Sequence, residues 1–149
     1  MKLVVDTNRI TAALIKDGLA RAILTSAGLE FCTIMYVRQE VLKYLSYIMQ
    51  KSNLPEGTVI ELLDLVLQNV RIIPENIIRQ QMPEAQMIMA DIDPADAPII
   101  ACALAIPNNG IWTEDKHFDR QDKVKVWKTG EVLQYLQRRT DEKTENEAA

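Results

Sequence analysis

Short apolar runs and helical segments alternate along this chain, and this alternation constrains its fold more than any other feature. The sequence predicts buried strands at Leu3–Val5, Phe31–Met35, Val70–Ile73, Ile111–Trp112 and Val124–Trp127. The first strand, the helix after it and the second strand form a β-α-β unit, which favours parallel pairing and a right-handed crossover. Because 149 residues fit one ordinary domain, we expect a single α/β domain around a central, mostly parallel sheet of about five strands.

Helices are predicted between these strands from apolar spacing and from end signals. The first covers Arg9–Ile15, with Asn8 as its cap and Lys16-Asp17-Gly18 as its end. The others cover Leu19–Ser26, Val37–Met49, Pro55–Gln68, Glu75–Ala90, Pro94–Ala105 and Gly130–Arg139. Helical spacing in the third predicts a buried stripe of Val37, Val41, Tyr44, Leu45 and Ile48. No apolar periodicity remains from Thr140 to Ala149, so we expect a folded domain over residues 1–139 and a disordered tail over residues 140–149.

Composition limits the environment and the partners of the chain. No apolar stretch approaches the roughly 18 residues of a membrane helix, and an acid after only three apolar residues at the amino terminus argues against a signal peptide. We therefore expect a cytoplasmic protein. Cys32 and Cys102 lie in apolar runs without a second ligand nearby, so we expect buried free thiols. The net charge of -4 argues against a general nucleic-acid coat, but clustered carboxylates at one site would account for an excess of this size.

Four acidic residues stand where strands end or helices begin: Asp6, Glu40, Asp96 and Asp115. Asp6 follows the first strand, Glu40 lies in the first helical turn after the second strand, and Asp115 follows the strand at Ile111–Trp112. Ligands of open α/β sheets bind beyond the carboxyl ends of the strands, so we expect these acids to converge. Two like charges about 4 Å apart repel by roughly 4 kcal/mol at an effective dielectric near 20. A divalent cation is the simplest way to stabilise such a cluster.

Each acid also has a purely structural interpretation. Asp6 could be a turn residue or a helix cap, although the chain supplies another cap close by. Glu40 lies at the edge of the apolar stripe of its helix, where the macrodipole would stabilise a glutamate by about 0.3–1 kcal/mol. Asp115 could be an ordinary surface acid. Glu114 and Asp119 are expected to be surface acids, although either could also join a second metal site.

Asp96 gives the sharpest signal among the four acids. Apolar residues follow it at spacings of three, four and seven: Ile99, Ile100 and Ala103. This spacing predicts that Asp96 lies on the buried face of its helix, and a charge is rarely buried without a partner. Asp93 is expected to cap the same helix and to support the ligands indirectly. His117, the single histidine of the chain, is expected to be a loop residue.

These segments together resemble the PIN-domain family. The matching features are a first strand ending in Asp6-Thr7-Asn8, the acid Glu40 after the second strand, the block Asp93–Leu104 and the block Trp112–Phe118. The resemblance covers nearly the whole chain to Arg139, and the order and spacing of all four acids agree with it. It implies a three-layer α/β/α fold, dependence on one or two Mg²⁺ or Mn²⁺ ions, and endoribonuclease activity. Such proteins are often the toxin of a VapC-type toxin–antitoxin pair.

The resemblance assigns metal binding and catalysis to Asp6, Glu40, Asp96 and Asp115. The groups expected to hydrogen-bond these ligands or the attacking water are Thr7, Asn8, Asp93 and Thr113. Arg9 departs from the apolar residue usual after Asp-Thr-Asn, and it is expected to contact phosphate or to face solvent. The implied reaction is in-line hydrolysis of an RNA phosphodiester, in which cations orient the phosphate and activate a water. Its products would carry 5′-phosphate and 3′-hydroxyl ends.

Other functions and partners stay open at this point. A Mg²⁺-dependent phosphotransfer domain, either a receiver domain or a haloacid dehalogenase-type phosphatase, would use Asp6 as its nucleophile. The phosphatase pattern, however, needs a second acid where this chain has Asn8, and neither class explains Asp96. A non-catalytic nucleic-acid-binding module of the same fold is a third interpretation. Expected partners besides RNA are a small antitoxin and a second copy of the chain, because helices such as Pro55–Gln68 carry excess apolar surface.

Overall fold

Five parallel strands form the centre of the computed structural model, which describes residues 1–15 and 18–148. The strands are β1 (Lys2–Val5), β2 (Glu30–Ile34), β3 (Val70–Ile73), β4 (Ile111–Trp112) and β5 (Val126–Trp127). Their spatial order is β3-β2-β1-β4-β5, and each neighbouring pair is parallel, as predicted. Val5 lies opposite Trp112 in the β1–β4 pairing. The carboxyl ends of these two strands therefore meet, although they are far apart in the sequence.

Helices lie on both faces of this sheet. They are α1 (Thr7–Ile15), α2 (Gly18–Leu24), α3 (Val37–Leu42), α4 (Leu45–Ser52), α5 (Glu56–Leu67), α6 (Glu75–Arg79), α7 (Met82–Met89), α8 (Ala97–Ala105) and α9 (Thr129–Ala148). Short 3₁₀ turns at Pro94–Asp96 and Lys116–Arg120 precede α8 and follow β4. Among the described residues, no helix is both long enough and apolar enough to cross a bilayer.

Alternate strand residues point to opposite faces of the sheet, as the two-residue period of a strand requires. Leu3, Val5 and Trp112 pack into the core formed with α1 to α5 and α9. Val4 and Ile111 pack into the second core, which α6, α7 and α8 cover. All of these side chains are fully buried, and each large one contributes about 1.5–3 kcal/mol by leaving water. The predicted three-layer α/β/α arrangement is confirmed.

The structure corrects the predicted start of the first helix. α1 begins at Thr7, because the N–H of Arg9 donates to the carbonyl of Asp6 at 3.0 Å. Asn8 therefore lies inside the helix and is not its cap, and its Oδ1 accepts a hydrogen bond from Arg9 Nε at 3.2 Å. The first two residues of the turn predicted at Lys16-Asp17-Gly18 lie outside the described ranges.

The helix predicted over Val37–Met49 divides into α3 and α4. At the division the N–H of Tyr44 donates to the carbonyl of Val41, only three residues earlier, at 3.0 Å. Val41 and Ile48 are buried as predicted, but Tyr44 is 55% exposed and lines an open groove. The assignment of Tyr44 to the core is therefore wrong. The helix predicted over Glu75–Ala90 likewise divides, into α6 and α7.

The carboxyl-terminal helix is longer than predicted. α9 continues through residue 148, nine residues past the helix end predicted at Arg139. The disorder predicted for residues 140–149 stays a prediction. Hydrogen bonds within the helix accompany this extension. Thr140 Oγ1 donates to the carbonyl of Leu136 and Thr144 Oγ1 to that of Thr140, each at 3.0 Å. Residues 137–148 are nonetheless exposed. A hydrogen bond joins α9 to the rest of the domain near this point, because Arg139 Nη1 donates to the carbonyl of Gly28 at 2.6 Å.

Gly110 allows the close approach of β5 to the start of β4. Its φ of +133° is a value that L side chains rarely adopt, and a Cβ there would lie 2.5 Å from the carbonyl oxygen of Lys125. Its carbonyl accepts the N–H of Val4 at 2.9 Å. Gly110 therefore fixes how β1 and β5 lie against the start of β4.

The two cysteines lie on opposite sides of the contact between the sheet and α8. Cys32 belongs to β2 and Cys102 to α8, and both are buried free thiols. Cys32 Sγ donates to the carbonyl of Leu3 at 3.7 Å. The predicted state of both cysteines is confirmed.

Candidate metal centre

Asp6 lies just beyond the carboxyl end of β1 and is held by the neighbouring strand. Its N–H donates to the carbonyl of Trp112 at 3.2 Å. The buried Thr113 Oγ1 donates to Asp6 Oδ2 at 2.7 Å and accepts the N–H of Asp115 at 3.0 Å. One hydroxyl therefore fixes the Asp6 carboxylate and also shapes the loop that carries Asp115.

Asp115 places His117 in the middle of the site. Asp115 caps the 3₁₀ turn that follows it, because its Oδ1 accepts the N–H of His117 at 2.9 Å. The imidazole points back toward the start of α8. Its Nδ1 lies 3.4 Å from Asp115 Oδ1, and it lies 3.3 Å from the Oδ2 atoms of both Asp93 and Asp96.

The start of α8 contributes Asp93 and Asp96. Asp93 caps the 3₁₀ turn as predicted, since its Oδ1 accepts the N–H of Ala95 at 3.0 Å. Asp96 immediately precedes α8 and is half-buried, so it lies at the margin of the buried face predicted for it. One ligand atom each from Asp93, Asp96 and His117 lies within 4.8 Å of the others. A single cation could bridge these atoms.

Burial and mutual repulsion raise the pKa of two carboxyls in this cluster. Burial is the main cause for Asp6, and the charge of Asp115 raises the pKa of Asp6 further, while the Thr113 hydrogen bond opposes the shift. The pKa of Asp96 rises to about 6, first through burial and then through the charges of Asp115, Asp93 and Asp6. The cluster thus stores electrostatic repulsion that a bound cation would relieve.

Glu40 stands apart from the other three predicted ligands. Its Oε1 accepts a hydrogen bond from Lys43 Nζ at 2.8 Å. Glu40 lines a groove together with Thr7 and Asn8, the two residues that follow Asp6. Among the described contacts, none joins its carboxylate to the cluster. The structure therefore places Asp115 close enough for its charge to raise the pKa of Asp6 and Asp96, and it leaves Glu40 at the edge of the site.

His117 is the residue that sequence reasoning missed. It was expected to be an ordinary loop residue, yet its ring contacts three carboxylates. The signal available in the sequence is the spacing Asp115-Lys116-His117. An aspartate that caps a turn accepts a hydrogen bond from the N–H two residues later. Here that bond directs the His117 side chain toward the acids.

Glu114 is exposed, as predicted, and it also joins the site to α9. Its Oε1 accepts the N–H of Thr129, the first residue of α9, at 2.6 Å. Burial alone would raise the pKa of Glu114, but the hydrogen bonds from Thr129 outweigh this and the pKa is lowered. Asp119, the other predicted surface acid, pairs with Lys128 at 3.0 Å. Both acids thus have structural roles.

Arg9 lies close enough to the cluster to influence it. Its charge lowers the pKa of Asp6 and that of Glu114. Contact between Arg9 and a phosphate stays a prediction.

A parallel sheet between two layers of helices, with carboxylates beyond β1 and β4, defines an α/β protein with an acidic site, where ligand atoms of Asp93, Asp96 and His117 lie close enough to bind one metal ion. Residues 4–137 match the family model of the PIN domain. The chain belongs to the PIN-domain family, which confirms the resemblance drawn from its sequence. PIN domains are generally nucleases and typically use divalent metal ions. A comparison with curated proteins finds no significant match.

Proposed function

We propose that this protein is a metal-dependent endoribonuclease that hydrolyses RNA phosphodiester bonds. The observation that carries the proposal is the carboxylate cluster, in which burial and neighbouring acids raise the pKa of Asp6 and Asp96. Perturbed acids of this kind concentrate at functional sites. Membership in a family of nucleases supports the same conclusion. Both observations favour an enzyme over a non-catalytic nucleic-acid-binding module.

The donor set suits Mg²⁺ or Mn²⁺, because carboxylate oxygens are the hard ligands that these ions prefer. We propose that Asp6, Asp96 and Asp115 hold one ion. Glu40 would bind that ion or a second one after it separates from Lys43. Imidazole suits softer transition metals better. We therefore propose that the His117 ring lies beside the ion and hydrogen-bonds the carboxylates.

The side chains around the acids have separate tasks in this proposal. When bound, the ion would polarise the phosphate and activate a water for in-line displacement, leaving 5′-phosphate and 3′-hydroxyl ends. Thr113 keeps the Asp6 carboxylate oriented through its 2.7 Å hydrogen bond. Thr7 and Asn8 offer a hydroxyl and an amide to the RNA backbone within the groove. Asp93 fixes the start of α8 and with it the position of the neighbouring acid.

Cleavage of a mixed RNA pool tests this proposal. Purified protein is incubated with Mn²⁺, Mg²⁺ or EDTA, beside Asp96→Asn and the matched control Asp122→Asn, which neutralises an exposed acid before β5. We expect metal-dependent cutting by the wild type and the control, loss of cutting in Asp96→Asn, and 5′-phosphate ends that a ligase accepts. A folded Asp96→Asn protein with full activity, or cutting that EDTA does not stop, would contradict the proposal.

We also propose a cellular setting for this activity. The nuclease domain would span residues 1–139, because the family match ends at residue 137. We propose that it acts in the cytoplasm as a VapC-type toxin restrained by a small antitoxin, and that it forms a homodimer through α5, where Leu65 is 54% exposed. Growth arrest on expression, relieved by the product of a neighbouring small open reading frame, would support the toxin. Sedimentation of the wild type and Leu65→Glu tests the dimer.

A further inference from the structure

The helical face that leads away from Glu40 carries two exposed tyrosines. Glu40, Tyr44 and Tyr47 line one groove, and Lys51 follows Tyr47 by four residues on the same side of α4. We name these four residues the tyrosine face. Tyr44 is 55% exposed and Tyr47 is 50% exposed. Lys51 Nζ lies 5.8 Å from the centroid of the Tyr47 ring.

Three residues of the tyrosine face, Glu40, Tyr44 and Tyr47, line a groove. The opposite wall is α1, starting with Thr7 and Asn8, and the groove has a volume of about 400 Å³. Thr7 directly follows Asp6 in the sequence. A polymer that leaves the acidic cluster along this groove therefore passes Glu40 first and then meets the rings of Tyr44 and Tyr47.

We propose that Tyr44 and Tyr47 stack on unpaired bases of the RNA substrate and so set its register at the metal centre. The inference rests on the proposed function and deepens it. With a net charge of -4, the protein gains little affinity from neutralising phosphates. Stacking on aromatic rings does not depend on net charge, because every base presents a planar face. Lys51 adds one positive charge beside the second ring.

The chemistry of the groove favours a nucleic acid over a helix from a partner protein. A helix that docks in a groove buries a continuous apolar stripe. Here the α1 wall is polar at Thr7, Asn8 and Thr11 and apolar only at Ala12 and Ile15. The tyrosine face begins with the Glu40 carboxylate and ends in Lys51, so neither wall is a continuous apolar stripe. A single strand fits both walls, since its bases offer planar surfaces to the rings and its polar backbone meets the hydroxyl and amide groups.

RNA binding by alanine variants tests the stacking role. A labelled short oligouridine is titrated with Asp96→Asn protein in Mn²⁺, and Tyr44→Ala and Tyr47→Ala are added to that background. We expect each to raise the Kd by about 5- to 150-fold, the range that base stacking gives on truncation to alanine. Tyr44→Phe and Tyr47→Phe keep the ring and should bind as the parent does. Met87→Ala, which alters an 81% exposed side chain on α7, is the matched control.

Two further readouts separate stacking from other roles. In the wild-type background, each alanine variant should raise KM and spare kcat, because stacking on bases binds the substrate and the transition state equally. The logarithm of the binding constant should fall with the logarithm of salt concentration by a slope of only about -0.7 to -1.4, which corresponds to one or two phosphate contacts with a single strand. A steep slope together with unchanged alanine variants would mean that phosphates carry the affinity, which would overturn the proposal.

The alternative occupants give different results. If both alanine variants bind RNA as the parent does but change the mass of the protein in solution, the tyrosine face binds a second copy or another protein, and the proposal is refuted. The proposed nuclease activity is judged separately, by cleavage in the wild type and its loss in Asp96→Asn. A protein that binds RNA through Tyr44 and Tyr47 but cuts none would refute the activity and retain the stacking role.

Discussion

Replacing Asp96 by asparagine should make the metal-free protein more stable while removing its response to metal. The pKa of this carboxyl is raised to about 6 from an ordinary value of 3.8, first by burial and then by three neighbouring acids. The folded state thus holds the proton more tightly than the unfolded chain does. The ionised carboxylate therefore costs stability, fully above about pH 6 and not at all below pH 3.8.

The size of the effect follows from the same shift. About two pKa units correspond to roughly 3 kcal/mol at pH 7.5. The Asp96 side chain is 21% exposed. Solvent screening therefore reduces the destabilisation by its charge to about 1–2 kcal/mol. An asparagine has nearly the same shape and no charge, so Asp96→Asn should recover this free energy. For a domain of this length, that gain raises Tm by about 2–8 °C.

Urea and thermal unfolding in EDTA and then in Mn²⁺ provide the assay. In EDTA we expect Asp96→Asn to be more stable than the wild type, with Asp122→Asn unchanged as the control. In Mn²⁺ the wild type gains RT ln(1 + [L]/Kd) of stability and the variant gains far less. An Asp96→Asn protein that is less stable than the wild type in EDTA would refute the stored repulsion. An equal response of both proteins to Mn²⁺ would refute the ligand role.

Four other predictions concern the site and its surroundings. Thr113→Val removes the 2.7 Å hydrogen bond to a buried carboxylate and should cost about 1–3 kcal/mol in urea unfolding; a variant as stable as the wild type would contradict this role. Because metal binding needs the Asp96 carboxylate with its pKa of about 6, the Mn²⁺ affinity measured by calorimetry should fall about tenfold from pH 7 to pH 5, whereas a flat profile would exclude it as a ligand. Gly110→Ala should lower stability by about 1–3 kcal/mol through backbone strain, whereas Gly130→Ala, where nothing lies within 4 Å of the added carbon, should not; equal Tm values would show that no strain exists. Truncation after Arg139 should change the free energy of unfolding by less than about 0.5 kcal/mol, and a larger loss in urea titration would place residues 140–148 within the domain.

The parts of the fold predicted correctly are those in which one local pattern decides the outcome. The third and fourth strands agree with the prediction residue by residue, because short apolar runs bounded by turn residues have few other stable arrangements. The convergence of Asp6 and Asp115 followed from strand ends alone, since parallel neighbours deliver their carboxyl ends to the same edge. The capping role of Asp93 could be predicted from one local feature, the proline that follows it.

The errors arise where tertiary contacts or side-chain geometry decide. Tyr44 fits the helical stripe by spacing, but the turn between α3 and α4 leaves it exposed. His117 reaches the acids only because a capping bond redirects its turn, and spacing alone does not reveal that direction. In α9, propensity and hydrogen bonds within the helix extend it beyond the last apolar contact.

The hydrogen bond between Thr113 and Asp6 also governs when the site can exist during synthesis. Its two residues are separated by 107 positions, and the other acids of the cluster lie in the same late part of the chain. A nascent chain that has not yet exposed β4 holds Asp6 without its neighbours, and contacts this distant form slowly. The acidic centre is therefore assembled only after the ribosome has released β4 and the loop that carries Asp115, and no product that ends before this loop can carry it.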